Sequence, residues 1–252
     1  MTGSVTFVGA GPGAPDLITL RGWRALQEAE VVLYDALIDP ALVDDLDAEL
    51  IFAGKRCGTH FMSQEEINFL LVENARAGRR VVRLKGGDPG VLGRVGEEAA
   101  HVAEAGLPFQ IVPGVSSAVA GPALAGIPLT LRGVSDGFVL VTAHRRQDEL
   151  EFSIPPFHTR RTLLLLMGVK TTPEWQRQLL DQAYPPNLPL AFVESASLPT
   201  QRVVISSVED AARDVLELEV RAPALVVIGE VVAQRVAGVA IEPEAESPSL
   251  TA

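Results

Sequence analysis

The chain reads as an α/β protein of two domains, with a mostly parallel sheet in the first and a mixed sheet in the second. Three observations predict this. Short apolar runs alternate with stretches of helical periodicity along nearly the whole length. Several of those runs end in glycine-containing loops, as residues 5–8 lead into Gly9 to Asp16 and residues 81–84 into Lys85 to Arg94. Later, residues 190–194 and 201–206 follow one another closely, as the arms of an antiparallel hairpin do. The boundaries expected are 1–113 for the first domain, 114–240 for the second and 241–252 for a mobile acidic tail.

The elements follow in order. A buried strand at 5–8 opens into a Gly-Pro loop, and Leu17, Leu20, Trp23 and Leu26 then recur at helical spacing as far as Ala29. Strands are predicted at 31–34 and 49–53. Ser63 and Glu66 have the spacing of a capping box ahead of Ile67, Leu70 and Leu71, in a helix stopped near Gly78. A strand at 81–84, a helix at 97–105 ended by Gly106 and a strand at 109–112 complete the βα alternation. Ser116 and Ser117 can cap the small-residue helix at 118–125. Beyond a Gly126–Leu129 turn, strands are predicted at 138–142, 162–167, 191–194, 202–205 and 224–228. Helices accompany them at 208–218 and from Thr172, read as a cap with Pro173 at the first position.

Composition narrows the function. A formal net charge of −11 argues against nucleic acid as a partner, although a local basic cluster can still hold a small anion. No apolar run is long enough to span a bilayer, and no charged-then-apolar leader opens the chain; a cytoplasmic protein is expected. Cys57 is the sole cysteine, and the four histidines (His60, His101, His144, His158) are widely separated, so no metal is expected. Lysine occurs only at 55, 85 and 170, and two of these sit in glycine-containing loops, which points to a site rather than to a solubilising surface.

Gly9, Gly11 and Ala14, followed by Asp35 at the end of the next strand, fit the spacing of a dinucleotide-binding fingerprint. A nicotinamide-dependent oxidoreductase is therefore one reading. Pro12 and Pro15 oppose it, because each removes an N–H from a loop whose task would be to donate to a pyrophosphate. The loop reads instead as a rigid turn shaping a cleft.

The run from Arg83 to Glu98, RLKGGDPGVLGRVGEE, leaves the carboxyl end of a strand, where open α/β sheets place ligands. Together with VGAGPG, VVLYD, AGKR, PGVSSA, GIPLT and VVIGEVV, it resembles the uroporphyrinogen-III C-methyltransferases of the tetrapyrrole methylase family, over roughly residues 4 to 235. The resemblance implies a tetrapyrrole methylase-like fold with the active site in the cleft between domains, a stand-alone homodimeric enzyme and S-adenosyl-L-methionine as methyl donor. It implies methylation of uroporphyrinogen III at carbons 2 and 7, giving precorrin-2 by way of precorrin-1, with a later precorrin as the alternative substrate. Cofactor contacts carry over to Pro12, Gly86, Gly87, Asp88, Val91, Ser116, Ser117, Met167, Ala196 and Ala224, and a proton acceptor and donor to Asp35 and Lys55. Substrate carboxylates would meet some of Arg21, Arg24, Lys55, Arg56, Lys85, Arg94 and Arg132. The chain departs from the family pattern at Gly90 and Leu92, where aromatics are usual, at Val95 and Ala143, where glycine is usual, and at Leu131, where histidine is.

Overall fold

A computed structural model describes residues 3–54, 62–144 and 152–241, which form two compact units dividing between Ser116 and Ser117. Lys55, Arg56, Cys57 and His60 lie outside the described residues, as does the expected tail beyond Ile241. No helix among the described residues is long and apolar enough to cross a membrane.

The first unit holds strands β1 (Ser4–Gly9), β2 (Val31–Tyr34), β3 (Glu49–Phe52), β4 (Arg80–Lys85) and β5 (Phe109–Val112). They pair in the order β3-β2-β4-β1-β5, with every pairing parallel. Helices α1 (Leu20–Gln27), α2 (Gln64–Arg76) and α3 (Val95–Glu104) cover its faces. Strand alternation divides the core in two. Val5, Phe7, Val31, Leu33 and Val81 pack with residues of α2 and α3, whereas Val8, Val32, Val82 and Leu84 pack with Trp23 and Leu26 of α1. Strands β1, β2 and β4, buried on both faces, require the near-continuous apolar runs that made them readable.

Local chemistry sets the helix ends. The capping box of α2 forms as its sequence predicts, with Ser63 Oγ accepting from Glu66 N and Glu66 Oε2 accepting from Ser63 N. Helix α1 begins later than the apolar spacing indicates. Pro15–Leu17 is a separate 3-10 turn, and Thr19 caps α1 by accepting from Gly22 N at 3.1 Å.

The second unit carries α4 (Ser117–Leu124), β6 (Gly137–Thr142), β7 (Arg161–Leu166), α5 (Thr172–Asp181), β8 (Pro189–Glu194), β9 (Arg202–Ser207), α6 (Ala211–Glu217) and β10 (Ala224–Ile228). Its order is β6-β7-β10-β8-β9, in which only β6·β7 is parallel. Strands β8 and β9 are the antiparallel neighbours that their spacing predicts, in register from Pro189↔Ser207 to Glu194↔Arg202. Thr172 is not the cap of α5: Thr171 precedes the helix, and Thr172 is its first residue. The Thr172 hydroxyl instead donates towards Gly168 O and Val169 O, and buried Trp175 adds Nε1 to Gly168 O at 2.8 Å. Helix α6 starts at Ala211 rather than 208, because Ser207 and Asp210 bond one another and hold the preceding residues in a turn.

Candidate active site

In an all-parallel sheet every carboxyl strand end lies at one edge, so the loops after β1, β2, β4 and β5 gather there. The register shows it directly, with Gly9 opposite Lys85, Val8 opposite Val112 and Tyr34 opposite Leu84. Beyond the sheet the β1 and β4 loops stay joined. Ala10 N donates to Lys85 O at 2.8 Å, and Gly11 and Gly87 exchange both backbone bonds, at 2.6 and 3.2 Å.

The glycines exist for this packing. A Cβ at Gly9 would lie 2.6 Å from Gly87 O and from Gly114 Cα, and one at Gly114 would lie 2.3 Å from Gly87 O. Gly11 (φ 88°) and Gly87 (φ 67°) are also left-handed, a conformation glycine adopts without penalty. The spacing that imitates a dinucleotide fingerprint is thus consumed by backbone contact. The Gly11 N–H, a donor that a pyrophosphate cradle needs, is committed to Gly87.

Asp88 buckles two of the loops together: Oδ1 accepts from Gly90 N at 2.8 Å and Oδ2 from Gly114 N at 3.0 Å. Val91 N closes the same turn onto Asp88 O at 3.1 Å. Gly86 faces open space except for Leu37 Cβ, 3.5 Å from where its own Cβ would be. The first unit therefore brings Pro12, Gly86, Gly87, Asp88, Val91 and Ser116 onto loops of one edge, all of them half-buried.

Asp35 follows β2 at this edge, and behind it runs a buried chain of charge that the sequence reading missed. Asp35 Oδ1 accepts from Arg83 Nη2 at 2.6 Å. Arg83 Nε lies 3.4 Å from Glu98 Oε2, and Lys85 Nζ donates to Glu98 Oε1 at 2.8 Å. Gln64 Nε2 also donates to that Glu98 oxygen, at 3.1 Å. Asp35 keeps 32% of its side chain exposed, whereas Arg83, Lys85 and Glu98 keep 5% or less. Burial, and then the Arg83 charge, hold the Lys85 ammonium below its ordinary pKa against the opposing pull of Glu98. Lys85 is consequently a core ion-pair residue and not a cation for substrate. Residues 81, 83 and 85 share one face of β4, and that face packs against α2 and α3.

The other basic candidates differ. Arg21 and Arg24 are exposed on α1, and Arg132 is exposed in the second unit. Arg94 is exposed and lies flat along Glu97, with Nε to Oε1 at 3.1 Å and Nη2 to Oε2 at 2.6 Å; those bonds push its pKa up.

Ser117, Met167, Ala196 and Ala224 belong to the second unit. Ser117 opens α4. The other three meet at one edge of the second sheet, because β10 runs antiparallel between β7 and β8. Ala224, its first residue, faces Glu194, and Leu225 faces Leu166. Met167 and Ser195 thus step off the two strands that flank β10, beside its start. Met167 is 53% exposed. Met167, Ser195 and Ser197 are all non-glycine residues with left-handed backbone, at φ 61°, 46° and 72°. Gln201 caps the bend by accepting from Ser197 N at 2.8 Å and donating to Leu124 O at 3.1 Å.

Known proteins share this chain's sequence and fold. The uroporphyrinogen-III C-methyltransferase of Methanocaldococcus jannaschii is 42% identical over 236 residues, covering 92% of this chain and 98% of that protein. The sirohaem synthase of Gluconobacter oxydans is 43% identical over 240 residues, 93% of this chain and 50% of that protein, so the chain spans about half the length of such relatives. The crystal structure of the Thermus thermophilus uroporphyrin-III C-methyltransferase complexed with S-adenyl homocysteine superimposes with a TM-score of 0.79 at 42% identity, over 92% of this chain and 100% of that one. The model of the Tetrapyrrole (Corrin/Porphyrin) Methylases matches residues 4–212, and on these grounds the chain belongs to the tetrapyrrole methylase family.

Proposed function

We propose that this chain is an S-adenosyl-L-methionine-dependent C-methyltransferase acting on uroporphyrinogen III. It adds methyl groups at carbons 2 and 7 to give precorrin-2 through precorrin-1, on the route to sirohaem and cobalamin. The observation that carries the reading is the backbone shelf at Gly86 and Gly87, buckled by Asp88, where a Cβ added at Gly86 would meet only Leu37 Cβ at 3.5 Å. Such a shelf suits a compact nucleoside with a charged side arm. The Gly11 and Gly87 N–H groups are committed to one another's carbonyls, so neither serves a pyrophosphate.

When bound, the cofactor supplies a methyl group already activated on sulfonium sulfur, so the protein need not generate an electrophile. The chain's own residues bind, orient and move a proton. Gly86, Gly87 and Val91 line the shelf, Pro12 and Ser116 flank it, and Asp88 fixes its shape. Ser117, Met167, Ala196 and Ala224 complete the set of cofactor contacts in this reading. Alignment of a pyrrole carbon with the methyl is where most of the rate gain arises, since holding two reactants in register removes several kcal/mol of barrier. Carbons 2 and 7 carry side chains and no hydrogen, so each methyl cation gained there is balanced by a proton lost from another position of the macrocycle. Asp35, aimed by Arg83, is the acceptor in this reading. Lys55 is its donor counterpart. Some of Arg21, Arg24, Arg56, Arg94 and Arg132 are the cations for the eight carboxylates of the macrocycle. We place the enzyme in the cytoplasm as a homodimer.

An anaerobic assay with uroporphyrinogen III and the methyl donor, read by mass spectrometry, tests this. Addition of two methyl groups is expected. Absence of transfer, or transfer to a later precorrin alone, overturns the substrate assignment. Calorimetric titration separates the cofactor classes, with S-adenosylhomocysteine binding and NAD giving no heat.

A further inference from the structure

Non-glycine residues in the left-handed region are costly and persist where their surroundings over-determine them. Two of the three at the second unit's edge, Ser195 and Ser197, flank Ala196 directly. The clamps that hold this bend are identifiable. Ser195 N donates to Pro223 O at 2.9 Å, on the segment leading to Ala224, and Leu198 N returns to Ser195 O at 3.0 Å. Ser197 N donates to the Gln201 side chain, whose amide also reaches the last turn of α4 at Leu124 O. Ala196 sits against the same helix, since a Cβ built on Gly121 would lie 3.5 Å from Ala196 Cβ. Gln201 thus ties α4, the helix that Ser117 opens, to the bend that presents Ala196.

We propose that Gln201 is a positioning residue for the methyl donor, holding the backbone at Ala196 in its binding conformation before the donor arrives. The inference rests on the cofactor reading above. Pre-organisation of this kind acts on affinity, because a site that needs no ordering loses less on binding. A glutamine that served only the fold would lower the melting temperature and leave affinity unchanged well below the melt.

The test is calorimetric titration of S-adenosylhomocysteine into the full chain and into Gln201→Met, with Gln176→Met as control. Gln176 makes a comparable pair of bonds, to Val208 O and Glu209 O, at the opposite edge of the same sheet. A rise in Kd of about tenfold or more in Gln201→Met, with Gln176→Met within about twofold of the parent, is expected. In turnover the donor's KM rises while kcat changes little. An unchanged Kd in folded Gln201→Met overturns the inference and leaves the cofactor reading standing. No binding by the parent chain overturns the cofactor reading itself, and the inference with it. Should Gln201→Met fail to fold, Gln201→Ser, too short to span from Ser197 to Leu124, is read by the same criteria.

Discussion

Lys85 Nζ and Glu98 Oε1 stand 2.8 Å apart with 5% and 1% of their side chains exposed, one residue entering the loop after β4 and the other in the helix that follows it. The pair closes the base of the loop that carries Gly86, Gly87 and Asp88. Removing one partner leaves the other charged in a dry environment, which costs about 3 kcal/mol or more. Lys85→Met and Glu98→Gln are each expected to lose that much in urea unfolding. The double variant should lose less than the sum by more than about 1 kcal/mol. Strict additivity would show that the two side chains do not act as a pair.

Alkaline pH separates two buried groups of opposite sign. The folded pKa of Lys85 lies below 10.5, so between those values the unfolded chain binds more protons and stability attributable to Lys85 rises with pH. Burial pushes the Tyr184 hydroxyl, which donates to Pro155 O, up to about 12. Its contribution is complete below the unfolded value of 10 and is lost as pH climbs towards 12. Measured against pH, the stability of the parent relative to Lys85→Met should therefore climb, and relative to Tyr184→Phe should fall. A difference that stays flat in either comparison refutes the corresponding shift.

Asp88→Ala deletes an acceptor of two backbone N–H bonds and uncouples the loops after β4 and β5. A loss of about 1–3 kcal/mol is expected in thermal or urea unfolding. S-adenosylhomocysteine should bind at least tenfold more weakly. Asp88→Asn, which keeps one acceptor oxygen, should fall between; full affinity in Asp88→Ala would remove Asp88 from the shelf.

Glycine substitutions give opposite outcomes at two positions. At Gly114 a methyl group would lie 2.3 Å from Gly87 O, so Gly114→Ala must push the loops apart, and neither folding yield nor cofactor binding should survive intact. At Gly96, inside α3, nothing lies within 4 Å of an added Cβ. Gly96→Ala should stabilise the chain by about 0.5–1 kcal/mol, read as a raised unfolding midpoint.

Arg94 is exposed, and among the described residues its guanidinium bonds to Glu97, three residues on, so replacing that side chain touches little of the fold. Arg94→Ala is expected to raise the KM for uroporphyrinogen III severalfold while the affinity for S-adenosylhomocysteine holds. Parallel loss of both would assign Arg94 to the loop's structure and not to the macrocycle.

Each strand among the described residues was legible in the sequence. The inner ones, such as β1, β4, β8 and β10, leave uninterrupted apolar runs because both faces are buried. The more exposed β3, β5, β6 and β9 are short apolar-rich runs between loops. The gathering of the β1, β2, β4 and β5 loops was legible too, as a consequence of parallel βα alternation. The buried charges were not. Arg83 and Glu98 meet only once β4 and α3 are packed, and the signal was slight: two cations, two residues apart, inside a run of Val and Leu. Read with strand periodicity, Arg83 and Lys85 share the face of Val81 and so need acids from the covering helices. The scarcity of lysine pointed to Lys85 as a site cation, whereas strand parity places it inside, with Glu98. In the second unit, the approach of Met167, Ala196 and Ala224 depends on β10 lying between β7 and β8, an order that no local pattern encodes.

That order also governs how the polypeptide is made. The last strand of the second sheet, Ala224–Ile228, is the middle one, so β6 with β7 and β8 with β9 are two separate ribbons until it inserts. On the ribosome the first unit has all its strands once Val112 has emerged, whereas the second must wait for more than a hundred further residues before its halves can be joined. A nascent chain stalled just short of Ala224 would present two open flanks to any chaperone within reach.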